Sequence, residues 1–418
     1  MVLYLLAWIV TFGWYQYKNR HADAGSAIML TYILYAIVSI LSLNDPIFSS
    51  TYEPLTLFPF IYLYVMLMTA LSPTIYNHLY PAHTINSPHT HILSIIAVIF
   101  IFCAIVQIPN IITNFNTGIV KLFLDNDAGK DAYMETAKEA SDAGSNISNI
   151  PSIIFNALSD ISIFLCFYFL SKKEKNPWLI TGMLISIIIG LLIPVMRGQR
   201  SGVIMSLLTV ILGYMLFRRY LSSIINRCVQ IIGLSIIIAT ALPITAITLS
   251  RFESRSEGIA GFLTWYVGQA NIYFNNYALD AGGIRNGDRT INLAKRIINP
   301  EDTPNNYVER REMYHNLEID DYYFTTFVGD FCIDFGPVAT VFIFVIFNAF
   351  VLMQIRPRDG TIELHQLLLL YFTMCICMQG GMYLFNYSDT ANLQIITFGC
   401  LYAYLRYHNC LLEHFPKT

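Results

Sequence analysis

Long apolar stretches alternate with short polar connections along almost the whole chain, and this alternation predicts a bundle of membrane-spanning helices. A helix needs roughly 20 mostly apolar residues to cross the hydrocarbon core of a bilayer. We predict eleven spans, within a range of ten to twelve, at residues 1–17, 26–43, 54–73, 91–109, 152–170, 178–195, 202–217, 229–248, 324–353, 363–383 and 391–407. The first is expected to be retained, because it has neither a basic lead-in nor a small-residue cleavage site.

Composition supports the same fold class. Of the 418 residues, 55% are hydrophobic and only 13% are charged, whereas a soluble domain carries about 25% charged residues. The sequence therefore predicts an all-α polytopic membrane protein, with residues 1–418 as a single integral membrane domain. The eight cysteines lie almost wholly in or beside apolar segments, so they predict neither a disulfide framework nor a metal site.

Basic residues in the short connections set the expected orientation. Lys and Arg residues follow the first, fifth, seventh, ninth and eleventh predicted spans, at Lys18, Arg20, Lys172, Lys173, Lys175, Arg218, Arg219, Arg356, Arg358 and Arg406. With eleven crossings, all of them lie on one side, and the excess of Lys and Arg identifies that side as cytoplasmic. The N-terminus is then outside and the C-terminus inside.

Two outer connections are long, at about 110–150 and 251–322. Long connections in a tightly connected chain are usually functional, and the cytoplasmic connections are too short to hold a soluble domain. We therefore expect the chemistry on the outer side, with the loop at 251–322 over the active site.

One arginine pair, Arg197 and Arg200, stands in an outer connection, where arginine opposes the usual orientation signal. Ser201 is a good N-cap, and the positive end of the following span points outward. Guanidinium groups beside a helix N-terminus form a site for an anion such as phosphate. The alternative is contact with lipid headgroups or nearby acids.

A second pair, Arg251 and Arg255, repeats the arrangement at the outer end of the eighth span. Here the alternative is a solvated network with Glu253 and Glu257.

Candidates for proton transfer follow later in the large outer loop. If residues 309–316 are helical, Arg311 and His315 share a face four residues apart. The intrinsic pKa of a histidine suits proton transfer near neutrality, although most loop histidines are ordinary surface residues. Four acids near the start of the ninth span must face a cavity or pair with an arginine. One of these acids is a candidate general base: Asp320, Asp321, Asp330 or Asp334.

Other chemistry has weaker support. Asp125 and Asp127 resemble the acid pair that binds a divalent metal in some lipid-sugar transferases, but such a triplet also arises by chance. The sequence contains no phosphate-cradling glycine loop, serine-hydrolase elbow or zinc-protease motif. Nothing in it supports nucleic-acid binding.

These features resemble those of the Wzy-type polymerases of bacterial O-antigen, capsule and common-antigen polysaccharides. The matching motifs are Gly198-Gln-Arg200-Ser201, Ser250-Arg251-Phe252, and Thr325-Thr326 followed by Asp334-Phe-Gly336. The resemblance covers the layout of most of the chain. It implies a GT-C-like glycosyltransferase in the bacterial inner membrane, with its long loops and active site in the periplasm. Much of that family has both termini inside, unlike the eleven-span prediction.

The resemblance further implies that the protein joins oligosaccharide repeat units carried on undecaprenyl diphosphate, by inverting transfer without metal or cofactor. Arg200 and Arg251 would then neutralise the departing diphosphate, and Arg197 and Arg255 would orient the phosphates. Membrane lipid is an expected partner, and a chain-length regulator is a candidate one.

On the sugar side, the resemblance implies that a base takes the proton of the acceptor hydroxyl. His315 is the first candidate, followed by Asp320 and Asp330. The residues expected to bind the substrate, the tyrosines by stacking on sugars, are Arg310, Arg311, Tyr314, Tyr322 and Tyr323.

Three alternatives remain open. An O-antigen ligase-like enzyme would use the same donor and share the arginines. A flippase or transporter would predict charges at span centres and short outer loops, whereas here the span centres are nearly free of charge. A metal-dependent transferase using Asp125 and Asp127 would be sensitive to chelators.

Overall fold

The computed structural model describes residues 1–19, 22–86, 88, 91–124, 150–196, 199–252, 258–304, 307–315, 317–320, 323–383 and 389–414, and their secondary structure is nearly all helical. The helices are α1 (Val2–Asn19), α2 (Ala24–Leu43), α3 (Leu57–Leu79), α4 (Ile92–Leu124), α5 (Ile150–Ser171), α6 (Pro177–Met196), α7 (Arg200–Phe217), α8 (Ser223–Phe252), α9 (Gly258–Tyr273), α10 (Asn292–Ile298), α11 (Tyr307–Met313), α12 (Thr326–Phe335), α13 (Pro337–Gln354), α14 (Leu364–Gln379) and α15 (Asp389–His414). A π-helix at Phe274–Ala278 continues α9. Two short strands, β1 (Thr84–Asn86) and β2 (Thr361–Glu363), pair in parallel.

Eight helices in the described part of the chain are long and apolar enough to cross a membrane: α2, α3, α4, α5, α6, α7, α8 and α13. This confirms the predicted class, an all-α polytopic membrane protein. The spans predicted at 1–17, 363–383 and 391–407 are also helices, α1, α14 and α15. They are not among the eight, so the total of eleven stays a prediction.

The predicted ninth span, 324–353, is wrong at its start. Its residues form two helices, α12 and α13, with Gly336 between them at a φ of +82°. Glycine adopts this conformation without strain, and Pro337 suits the first turn of α13, where its missing N–H loses no hydrogen bond. The span therefore begins at Pro337. The acids of α12 precede it.

The segments predicted as long loops contain helix. α4 continues to Leu124, so the first part of the loop predicted at 110–150 is helical; residues 125–149 lie outside the described residues. The loop predicted at 251–322 contains α9, the π-helix, α10 and α11. The hydroxyl of Ser39 on α2 donates to the carbonyl oxygen of Gly268 at 2.7 Å. Thus α9 packs against a membrane-spanning helix and does not form part of an open loop.

The chain divides into two compact units, and the single integral membrane domain stays a prediction. Unit 1 comprises Met1–Asn86 and Ala260–Thr418, and unit 2 comprises Ser87–Ile259. Unit 2 is formed by α4 to α8, which follow one another in the sequence and pack mainly on each other. In its core, Phe100 of α4 stacks on Phe155 of α5 with ring centroids 4.7 Å apart. By contrast, no residue of α8 between Ser223 and Leu242 is buried, as suits a helix in lipid.

Described basic residues of the predicted cytoplasmic connections gather at one end of unit 1, which we call its basic end. There His78, at the end of α3, lies 2.5 Å from Asp23 in the connection between α1 and α2. The β1–β2 pair joins the end of α3 to the start of α14 at this end. The basic residues are Lys18, Arg356, Arg358 and Arg406. The opposite end of unit 1 carries residues 44–56, the π-helix and most of 279–325.

Candidate functional site

A glycine-rich turn lies at the opposite end of unit 1, in residues 282–290. Gly282, Gly283 and Gly287 have φ angles of +75°, +155° and +84°, and Asn286 has +53°. Glycine adopts positive φ freely and asparagine tolerates it, so the sequence Gly-Gly-Ile-Arg-Asn-Gly permits a compact turn.

The turn is fastened to the last turn of α12 through the backbone. The N–H of Arg285 donates to the carbonyl oxygen of Ile333 at 3.1 Å, and that of Asn286 donates to Asp334 O at 2.9 Å. These bonds bring the charged residues of the turn against α12. They also satisfy backbone groups that would otherwise be buried without partners.

Six charged residues of this region are almost inaccessible to solvent, each at most 1% exposed, and we call them the charged core: Arg285, Asp288, Arg289, Arg310, Asp330 and Asp334. A buried charge is costly unless it is paired and hydrogen-bonded. The arrangement of these residues therefore determines whether the region folds.

Arg289 and Asp330 form the central ion pair. The Nε of Arg289 donates to Asp330 Oδ1 at 2.7 Å, and its Nη2 donates to the carbonyl oxygen of Tyr323 at 3.0 Å. Both side chains are at most 1% exposed. Of the two roles considered for Asp330, general base and partner of an arginine, the contacts describe the second.

Asp334 lies one helical turn beyond Asp330 and accepts hydrogen bonds from Thr290, the last residue of the glycine-rich turn. The backbone N–H and the hydroxyl of Thr290 each donate to Asp334 Oδ2 at 2.7 Å. Burial raises the pKa of this carboxyl group to about 6, although the hydrogen bonds from Thr290 act in the opposite direction.

Asp288 connects the turn to α10 and to Tyr314. Its carboxylate accepts from the Tyr314 hydroxyl and pairs with Lys295 of α10. Its carbonyl oxygen accepts from Arg310 Nη1 at 3.2 Å. Burial, and then the bond to Asp288, raises the pKa of Tyr314 well above its usual value.

Arg285 and Tyr314 also contact each other. The guanidinium carbon of Arg285 lies 5.5 Å from the centre of the Tyr314 ring, and the tyrosine hydroxyl donates to the Arg285 carbonyl oxygen at 3.1 Å. Arg310 and Tyr314, both predicted to bind substrate, thus make protein contacts that hold the turn in place.

The other two candidate bases are on the surface. The shared face of Arg311 and His315 was predicted only if residues 309–316 are helical, and that condition is not met, because α11 ends at Met313. His315 is exposed, with its Nδ1 2.6 Å from the carbonyl oxygen of Glu312. Asp320 accepts from Arg311 at both carboxylate oxygens, at 2.8 and 2.5 Å. The side chains of Arg311 and Asp320 are 43% and 40% exposed.

In unit 2, Arg200 and Arg251 lie at the ends of two helices. Arg200 is the first residue of α7 and follows Gln199 as N-cap, so the prediction of Ser201 as N-cap is wrong by two positions. Arg251 lies in the last turn of α8. Val195 and Val203 form a small core cluster with Ile244 of α8 packed against it.

That cluster brings the end of α6, the start of α7 and the last part of α8 to one end of unit 2. Arg251 follows Ile244 by seven residues, a rise of roughly 10 Å along the helix. At the other end of this unit, Asn226 Nδ2 donates to the carbonyl oxygen of Arg218 at 3.2 Å. Arg200 and Arg251 therefore stand at the end away from the basic connections of unit 2.

Several predicted residues lie outside the described residues, and so do the side chains of Arg200 and Arg251. These residues are Arg197, Arg255, Asp321, Tyr322, Asp125 and Asp127. Within the described ranges, no group of three or more His, Cys, Asp or Glu residues is arranged to hold a metal ion.

Three residues of the charged core were not predicted from the sequence: Arg285, Asp288 and Arg289. A signal was present, because the Gly-Gly and Asn-Gly pairs around them mark a tight turn.

The chain's comparison with models of protein families, with characterised proteins and with solved structures finds no match.

Proposed function

We propose that this protein is a polymerase that joins undecaprenyl-diphosphate-linked oligosaccharide repeat units, by inverting and metal-independent transfer, at the periplasmic face of the bacterial inner membrane. One observation carries the proposal. In unit 2, Arg200 and Arg251 stand at the end away from the basic connections. Since those connections favour the cytoplasmic side, two arginines at the other end require another reason to be there, and an anionic ligand supplies it.

In the proposed reaction, a hydroxyl oxygen of the acceptor unit attacks the anomeric carbon of the donor sugar from the face opposite the diphosphate. The bond from that carbon to the phosphate oxygen breaks, and its electron pair leaves with undecaprenyl diphosphate. Arg200 and Arg251, on neighbouring helix ends of unit 2, neutralise the charge that develops there. Arg197 and Arg255 assist by orienting the phosphates.

The acceptor hydroxyl loses its proton to a general base. His315 is the strongest of the three candidates, because its ring is exposed, whereas Asp330 is buried against Arg289 and Asp320 is held by Arg311. The charged core has a supporting role in this proposal: it fixes the segment that carries His315 and Tyr314.

Arg200→Ala and Arg251→Ala test the proposal. Each is expected to abolish long-chain polysaccharide and to leave single lipid-linked repeat units in the membrane, with unchanged protein abundance on immunoblots. Arg218→Ala, in one of the basic connections of unit 2, is the matched control and is expected to retain full chain length.

Normal chain length in both variants would overturn the phosphate-neutralising role. If the variants instead accumulate long chains on the lipid carrier, the protein acts as a ligase of finished chains and not as a polymerase.

A further inference from the structure

Four tyrosines form a contiguous aromatic group at the opposite end of unit 1, which we call the tyrosine platform: Tyr52, Tyr273, Tyr277 and Tyr323. Tyr323 stacks on Tyr273 with ring centroids 4.1 Å apart. Tyr277 stacks on the same ring at 6.1 Å, and Tyr52 meets it edge-on at 5.5 Å. Tyr273 is buried, whereas the other three are only partly buried. The platform is therefore anchored by one buried ring, and three rings around it keep part of their surface accessible.

Hydrogen bonds fix the outer rings in place. The Tyr52 hydroxyl lies 2.6 Å from that of Ser42, at the end of α2. The Tyr277 hydroxyl donates to the carboxylate of Glu53 at 3.3 Å. A ligand that stacks on rings already held in position loses little conformational entropy on binding.

The π-helix brings Glu53 to the platform. Asn276 exchanges two hydrogen bonds with the backbone of Glu53, at 3.2 and 3.3 Å. Asn275 does the same with the backbone of Thr56, at 2.8 and 2.9 Å. π-helices are rare and occur often at functional sites, since the extra residue changes where side chains point. Here it places two amides and one tyrosine along residues 53–56.

The chemistry of this surface selects a class of ligand. The electron-rich faces of aromatic rings attract the partially positive C–H groups on one face of a sugar ring. An exposed carboxylate, which only accepts hydrogen bonds, suits paired sugar hydroxyls, which donate them. Glu53 is exposed, and so are Asp280 and Glu318 nearby in the fold. These negative charges disfavour a phosphate and leave a neutral or amino-bearing saccharide.

We propose that the tyrosine platform together with Glu53 binds a sugar of the oligosaccharide substrate. This assignment rests on the proposed polymerase function and deepens it. It adds three residues to the substrate-binding set predicted from the sequence: Tyr52, Glu53 and Tyr277.

Binding of a defined probe tests the assignment. The probe is the free repeat-unit oligosaccharide, released by mild acid from the lipid carrier of cells in which the gene for this chain is deleted. Its dissociation constant is measured by saturation-transfer NMR with the full-length protein in detergent. Tyr277→Ala and Glu53→Gln are each expected to raise that constant by about tenfold, the effect of one lost hydrogen bond to a charged group or one lost stacking contact.

Two variants control for general damage. Tyr80→Ala removes an exposed tyrosine from a comparable aromatic pair with Tyr76, at 4.9 Å, at the basic end of the same unit. It is expected to leave binding unchanged. Tyr277→Phe keeps the ring and loses the hydroxyl, so it is expected to weaken binding less than Tyr277→Ala does. If the alanine variant does not fold, Glu53→Gln and Tyr277→Phe still test the assignment, because both are expected to weaken binding relative to the parent.

The outcomes separate the assignment from the function on which it rests. If the deleted cells accumulate single lipid-linked units but the Tyr277 and Glu53 variants bind the probe as the parent does, the platform assignment is overturned and the polymerase proposal stands. If the deleted cells accumulate no such units, both are overturned.

Discussion

Arg289 shows what a buried guanidinium requires. Its side chain is fully desolvated, and it is compensated by the carboxylate of Asp330 and the carbonyl oxygen of Tyr323. The Coulomb attraction of such a pair offsets the desolvation cost only while both partners are present. Removing one leaves an uncompensated charge in a medium of low polarity.

Arg289→Ala is therefore expected to destabilise unit 1 by roughly 3–5 kcal/mol, because Asp330 stays buried without its counter-ion. Arg311→Ala breaks an exposed pair with Asp320 and is expected to cost less than about 1 kcal/mol, since water screens that pair. Thermal unfolding of the two variants in detergent compares the effects. Equal losses would show that burial does not control the strength of these pairs.

Asp334 gives stability a pH dependence of known sign. Its pKa is raised in the folded state from 3.8 to about 6, chiefly by burial. The folded protein therefore binds a proton that the unfolded chain has already lost. The associated stabilisation is complete below about pH 4 and disappears as the pH rises through about 6. Asp334→Asn removes this titration.

Asp334→Asn also removes a carboxylate oxygen that accepts hydrogen bonds from Thr290, so this variant is expected to be less stable than the parent at every pH. The advantage of the parent over Asp334→Asn should be larger at pH 5 than at pH 7. The unfolding temperatures of the parent and of Asp334→Asn, measured between pH 5 and pH 7, give this difference in stability. A difference that is constant or grows with pH would contradict the raised pKa.

At the scale of helices, a close approach of two backbones fixes α9 in the bundle. A Cβ atom on Gly268 would lie 2.7 Å from the carbonyl oxygen of Val38 on α2. Small residues allow such contact between helices in membrane proteins. The hydrogen bond between Ser39 and the Gly268 carbonyl forms at the same place.

Gly268→Ala is expected to destabilise the protein by roughly 1–3 kcal/mol, because the clash is with backbone atoms that have little freedom to move. Gly13→Ala in α1 is the matched control: a Cβ there meets no atom within 4 Å. That variant is expected to gain up to about 1 kcal/mol from higher helix propensity. A neutral Gly268→Ala variant in thermal unfolding would argue against the close contact.

Helices were the part of this fold that the sequence predicted best, because long apolar stretches have few other stable structures in a bilayer. The break between α12 and α13 was missed although Gly336 and Pro337 mark it, since the apolar residues on both sides appear continuous. α9 was missed because its 16 residues are too few for a span and stand beside a polar segment.

The charged core was predicted only in part. The four-residue spacing of Asp330 and Asp334 places both on one face of a helix, and pairing with arginine was foreseen. The arginine that pairs with Asp330, however, is Arg289, which precedes it by 41 residues. No local pattern specifies a contact over that distance. It depends on the turn at 282–290 and on how the helices pack.

At the scale of the whole molecule, the distribution of positive charge predicts an orientation that labelling can measure. Ser50 is exposed at the opposite end of unit 1, and His83 is exposed at its basic end. In intact cells, a membrane-impermeant maleimide should label Ser50→Cys. It should reach His83→Cys only after the membrane is permeabilised.

The parent chain, treated with the same maleimide, gives the background labelling of the native cysteines. The reverse pattern would place the charged core and the tyrosine platform in the cytosol, and would contradict the periplasmic roles proposed for His315 and for the platform.

The helix break at Gly336 also sets the depth of the charged core. Asp334 precedes Pro337, the first residue of a span, by only three positions, which limits their separation along the chain to roughly 11 Å. The Tyr62 hydroxyl near the start of α3 donates to the carbonyl oxygen of Pro337 at 2.6 Å, which holds two spans level at this height. The charged core therefore lies next to the end of a membrane span, the level at which lipid headgroups replace hydrocarbon.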